Sequence, residues 1–162
     1  MNSTETTKLE FLRHTLATIA YRGGKVLRDA PTGFSTLRIG SASRTPGEIL
    51  AHLCDLLDWT VHLCEGQHVW RTSELQEWKE DVDRFFQALA RLDERLASGR
   101  QLGSPAEGLF QGPLADALTH IGQIAFLRRI AGAPIRGENY LRADIGAGRV
   151  GPAQSPPQVE FD

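Results

Sequence analysis

The sequence predicts an all-α fold, a four-helix bundle followed by an irregular C-terminal arm, and three observations predict it. Apolar residues recur at helical spacing in four separate stretches. Two of those stretches open on strong start signals, Thr45-Pro46-Gly47-Glu48 and Gly112-Pro113, where proline at the first helical position loses no hydrogen bond. Beyond Pro134 the chain is rich in glycine and proline, so helix propensity ends there. A length of 162 residues is ordinary for one domain and buries a fair core. The expected layout is a bundle over 1–136 and an arm over 137–162 packed on the same domain.

Helix one is expected over 4–29, with Leu9, Leu12, Leu16, Ile19, Ala20 and Val26 as its apolar face. Gly23-Gly24 is its weak point, because each glycine costs about 1 kcal/mol relative to alanine, and a kink or a close approach is expected there. Residues 30–45 read as a connection with a short extended piece at FSTLRI. Helix two runs from Pro46 to Glu65 behind the capping box, and Ile49, His52, Leu56, Trp59, Thr60 and Leu63 share one face. A link of about seven residues follows Gly66; Thr72 or Ser73 can cap helix three, Ser73 with Gln76 forming a second capping box, and the helix runs to about Ser98. Leu75, Trp78, Val82, Phe85, Phe86, Leu89, Leu92 and Leu96 make its stripe, and Glu77, Glu80, Asp81, Arg84, Arg91, Asp93 and Arg95 a solvated outer face. Residues 99–112 are expected to loop. Helix four is GPLADALTHIGQIAFLRRIAG, bounded by Gly112-Pro113 and by Gly132 with Pro134.

The chemistry is expected where ionisable groups interrupt these stripes. His52 falls near the middle of the apolar face of helix two. On helix four Asp116, His120, Ile124 and Leu127 fall within roughly a quarter turn, flanked by Ala117, Gln123 and Ala131. A carboxylate and an imidazole four residues apart project side by side, about 5 to 6 Å between Cβ atoms, close enough to hold one divalent ion. Each group has a plain alternative: His52 as a satisfied core histidine, Asp116 as an acid favoured by the helix dipole. Burying all of them without pairing or coordination is unfavourable, and bundles commonly build cofactor sites from inward side chains on facing helices. His52, Asp116 and His120 are therefore the expected metal ligands, with Gln123 expected either as an outer hydrogen-bond partner or as a residue that orients the bundle core. Asp58 and His62 repeat the spacing, with Asp55 nearby, on a more polar face where solvated surface is expected.

The remaining features exclude more than they assign. A formal net charge of -2 with both signs well mixed favours neither nucleic acid nor an anionic membrane. Cys54 and Cys64 lie roughly 15 Å apart along one helix and are expected as reduced thiols. No apolar run reaches the ~18 residues of a membrane span, and the polar start MNSTETTKLE lacks the pattern of a secretory signal, so a cytoplasmic location is expected.

The segments AHLCDLLDW and HIGQIAFLRRIAG together resemble the DinB-like superfamily, over about residues 8–134. The resemblance implies a four-helix bundle with helices two and three parallel, and a metal held by one histidine of helix two and two of helix four. His120, followed by Ile121, Gly122 and Gln123, matches the second of those two, and Asp116 stands in place of the first. Aspartate ligates the same metals and offsets their charge. The implied function is a metal-dependent enzyme in which a divalent transition ion, zinc or nickel, activates a thiol or water. Its relatives include thiol-dependent S-transferases, which makes a low-molecular-weight thiol the implied partner of a small-molecule substrate. A metal-dependent hydrolase and a non-catalytic metal-binding or stress-related module are the competing functions. A homodimer through an outer helical face is also expected. The segment ENYLRADIGAGRVG, with Tyr140, Arg142 and Asp144, is expected either to fold over the mouth of the bundle or to pack on its outside or across a dimer contact.

Overall fold

The computed structural model describes residues 3–161. Four long helices dominate it: α1 (Ser3–Leu27), α2 (Pro46–Cys64), α3 (Trp78–Ala97) and, after the single turn α4 (Ala106–Leu109), α5 (Ala115–Ile130). The all-α bundle is thus the observed fold. α1 packs on α3 and α5, and α2 packs on the same two helices, so α1 and α2 occupy opposite corners. Leu12, Leu16 and Ile19 of α1, Leu50, Leu53 and Leu57 of α2, Phe85, Leu89 and Leu92 of α3, and Ile124 of α5 fill the centre.

Side-chain pairings give the helix directions. Cys54 meets the Asp81 carbonyl, Asp55 and Asp58 meet Arg84, and Glu65 meets Arg95, so α2 and α3 run parallel. Arg13 pairs with Asp93 while Gly23 faces Phe85, so α1 and α3 are antiparallel. A parallel α2 and α3 requires the link to travel back along α2, about 28 Å for its 19 residues. A seven-residue link spans only some 25 Å fully extended. The structure resolves this by starting α3 later than expected, which leaves residues 65–77 as the link, with a reach of about 43 Å.

The later start has a local cause. The Ser73 hydroxyl and amide both bind the Asp55 carboxylate of α2, at 2.7 and 3.2 Å, so Ser73 is tied sideways and does not cap α3. The helix instead begins after Glu77, whose amide donates to the Glu80 carboxylate at 3.2 Å. The expected Ser73–Gln76 capping box is therefore corrected, and Leu75, assigned to the stripe, lies outside α3 and is exposed. The box on α2 is observed: Glu48 N–H donates to Thr45 Oγ1, and Thr45 N–H to the Glu48 carboxylate.

The solvated outer face of α3 is also corrected. Because α3 lies between α1 and α2, both flanks of its charged face are covered, and Asp81, Asp93 and Arg95 are buried. Arg95 donates to the carbonyls of Cys64, Arg100 and Gln101, tying the end of α2 to the start of the next link. Asp55 is likewise buried, held by Arg84 at 2.7 Å, instead of lying on solvated surface.

The Gly23-Gly24 pair gives a close approach without a break: α1 is continuous, and a Cβ on Gly23 would lie 2.6 Å from the Phe85 ring. The last long helix starts differently from expectation. α4 occupies part of the expected loop, a wide turn over Phe110–Leu114 follows with Gly112 at φ −86°, ψ −105°, and α5 proper begins at Ala115. Pro113 has no N–H to continue a regular ladder across that turn. Gly132, at φ +72°, ends the helix as expected.

The arm packs along α1. Gly137–Glu138 pairs antiparallel with Glu160–Phe161, and buried Glu138 accepts from Tyr21 and Lys25, both at 2.7 Å. Lys25 also reaches Glu160 at 2.7 Å. Tyr140 stacks edge-on against Tyr21 under Arg22, and Asp144 binds Arg149 and Ser155. Within the chain, the arm packs on the outside of the bundle, against Tyr21, Arg22 and Lys25.

Candidate metal centre

α2 delivers His52 and α5 delivers Asp116 and His120 to one point between the two helices. One donor atom from each residue can be chosen so that all lie within 4.8 Å of one another. His120 Nε2 is 3.6 Å from Asp116 Oδ1, and His52 Nε2 is 3.9 Å from Asp116 Oδ2. The imidazole rings stand nearly perpendicular, 4.8 Å between centroids. Donors around a four-coordinate ion with bonds of 2.0 to 2.1 Å lie about 3.4 Å apart, so small side-chain rotations bring this set into range. The donor chemistry, two imidazoles and one carboxylate, suits a divalent transition ion and leaves coordination positions open.

The site lies at the rim of the core. The buried residues of α5 are Ala117, His120, Ile121, Ile124, Leu127 and Arg128, so His120, Ile124 and Leu127 are buried as expected and Asp116 is the one member of the expected stripe that is not. Asp116 is thereby corrected from a core-facing residue to one whose side chain is 47% exposed, while those of His52 and His120 are 23% and 11% exposed. This displacement matters chemically, since a carboxylate at the rim leaves the centre reachable from solvent.

Surrounding groups prepare the imidazoles. His120 Nδ1 lies 2.7 Å from Gln123 Oε1; donating its proton to that amide oxygen leaves Nε2 free to act as a ligand. Burial, helped by the neighbouring His120 and Arg44, holds the His52 pKa below the usual imidazole value against the opposing pull of Asp116 and Asp55. His52 is therefore neutral, its ligating form, at neutral pH. Trp70, on the link between α2 and α3, packs its ring 5.5 Å from that of His52 and 5.7 Å from that of Trp59.

The competing pair does not form a site. Asp58 is engaged by Arg84 at 2.9 Å and Arg91 at 2.7 Å, and among the described residues His52, Asp116 and His120 are the one group placed to hold an ion. Arg84, read as solvated surface, instead joins Asp55, Asp58 and Ser73, and its pKa is raised by those carboxylates despite burial. Cys54 and Cys64 are free and buried, and burial pushes the Cys64 thiol up to about 11. Among the described residues no helix is long and apolar enough to cross a membrane. Comparison of the chain with protein-family models, with curated proteins and with solved structures finds no match.

Proposed function

We propose that the protein is a metal-dependent enzyme of the DinB-like type, with zinc or nickel held by His52, Asp116 and His120, and that it transfers a low-molecular-weight thiol to a small electrophile. The observation that carries this reading is the convergence of two imidazoles and a carboxylate from two helices, with the outer hydrogen bond from His120 to Gln123 already made. The parallel α2 and α3 agree with the bundle that the resemblance implies. A divalent ion with one carboxylate and two neutral imidazoles keeps a net positive charge, which favours deprotonation of a thiol or water at an open position.

The chain's own groups have defined tasks in this reading. Asp116 lowers the charge of the centre and keeps its outward side accessible. Gln123 fixes the tautomer and orientation of His120. Three donors with a half-exposed carboxylate favour turnover over bracing, since structural zinc sites are closed by four protein donors.

Elemental analysis of untagged protein tests the metal directly. A near-stoichiometric transition metal is expected in the wild type and in His62→Ala, and its loss in His52→Ala, Asp116→Ala and His120→Ala. Loaded protein is then assayed with electrophiles plus thiols, and with ester and amide substrates for the hydrolase alternative. No bound metal after reconstitution refutes the reading and makes the three residues an internal polar cluster.

A further inference from the structure

A cavity of about 560 Å³ opens beside the metal centre, between the start of α2 and the link that precedes α3. His52 forms part of its wall, together with Arg38, Arg44, Trp70, Thr72 and Leu75. Its volume falls in the ordinary range for small-molecule sites.

Charge on the wall is unevenly satisfied. Arg38 is bound to Glu48 at 3.1 Å, and Asp55 is bound to Arg84 at 2.7 Å, so these wall charges are matched. Arg44 has no hydrogen-bond or ion-pair partner among the described residues. One guanidinium is thus left over, and its planar fork matches an oxyanion such as a carboxylate. The apolar part of the wall is also open: Trp70 is 43% and Leu75 58% exposed, large apolar surfaces beside the unmatched cation. A single leftover cation suits a monoanion better than a phosphate dianion.

We propose that this cavity binds a small organic monocarboxylate, its anion on Arg44 and its apolar body against Trp70 and Leu75, and so presents the substrate beside His52. The assignment rests on the metal reading for the reaction that follows, but not for the binding itself. Arg44 acts as an anchor and Trp70 as a stacking wall, which makes substrates of this class aryl or alkyl carboxylates.

The test is calorimetric titration with 3-phenylpropionate, its neutral analogue 3-phenylpropanol, and phenyl phosphate. Each is run on metal-free and zinc-loaded protein, wild type, Arg44→Gln and Arg44→Lys. Arg44 is exposed, so the variants are expected to keep the wild-type helical circular dichroism. The carboxylate is expected to bind more tightly than the alcohol, to lose about tenfold or more in affinity in Arg44→Gln, and to recover part of it in Arg44→Lys. The alcohol is expected to be indifferent to either change. The proposal is overturned if no probe binds, if the phosphate is preferred, or if the carboxylate binds wild type and Arg44→Gln alike. Binding that appears only with zinc and survives Arg44→Gln places the anion on the metal and also overturns it. Failure of the metal reading shows separately, as absent zinc uptake, and leaves Arg44-dependent binding to metal-free protein intact.

Discussion

Adjacent glycines in α1 are expected to respond to alanine with opposite signs. A Cβ at Gly23 would sit 2.6 and 2.9 Å from two atoms of the Phe85 ring, about 1 Å inside ordinary carbon contact. Phe85 is completely buried between α1 and the rest of the core, so its ring has little room to retreat. Overpacking of this kind costs typically 1 to 3 kcal/mol, and alanine returns about 1 kcal/mol of helix propensity. The net expectation for Gly23→Ala is a loss of about 1 kcal/mol, and at most about 2 kcal/mol. At Gly24 the nearest neighbour, on the Phe86 ring, would be at 3.5 Å, an ordinary contact, so propensity dominates and Gly24→Ala gains up to about 1 kcal/mol. The two variants should differ by about 2 kcal/mol, or roughly 4 to 8 °C in Tm for a chain of this size. Guanidinium unfolding followed by circular dichroism measures both. The double variant Gly23→Ala/Phe85→Leu should lose less than the sum of its single changes, because leucine vacates the space the new methyl needs. Stabilisation by both alanines, or strict additivity in the double variant, refutes the packing argument.

The other expectations concern charge and reactivity. Gln123→Leu should weaken zinc affinity by about 10- to 100-fold while leaving the stoichiometry at saturation unchanged, measured by competition with a chromophoric chelator; equal affinity would deny Gln123 its orienting role. Burial raises the Asp81 pKa above its unfolded value, so the folded state holds that proton more tightly and stability falls as pH rises from the unfolded pKa through the folded one. Asp81→Asn should therefore gain stability relative to wild type on going from pH 4 to pH 7, and a flat difference across that range would contradict the assignment. With both thiols buried and Cys64 pushed up to about 11, iodoacetamide at pH 8 should leave native protein unmodified and label both cysteines in guanidinium; rapid native labelling would show an opening that the packing does not allow.

Local signals carried the fold a long way. The capping box at Thr45 set the start of α2, Gly132 the end of α5, and the apolar spacing of Leu12, Leu16 and Ile19 the buried face of α1, because each depends on residues within a turn or two. The clustering of the candidate ligands was legible for the same reason: Asp116, His120 and Gln123 share one helical side at three- and four-residue spacing, whatever surrounds them. The choice of His52 over His62 was open to the same kind of reading, since only His52 interrupts an apolar face.

Tertiary structure decided what depends on a neighbour. Ser73 looked like a cap because its own sequence allows it, but Asp55 of α2 claims its hydroxyl and amide and moves the start of α3 to Trp78. Asp81, Asp93 and Arg95 looked solvated because a helical wheel has no knowledge of a third helix, and they are buried because α3 lies between two others. Asp116 shares the spacing of His120, Ile124 and Leu127, yet they are buried and it lies at the rim, which follows from how α5 docks against α1 and α2 and not from its own spacing. Spacing along one helix determined which side chains sit together; only the packing of helices determined which of them meet water.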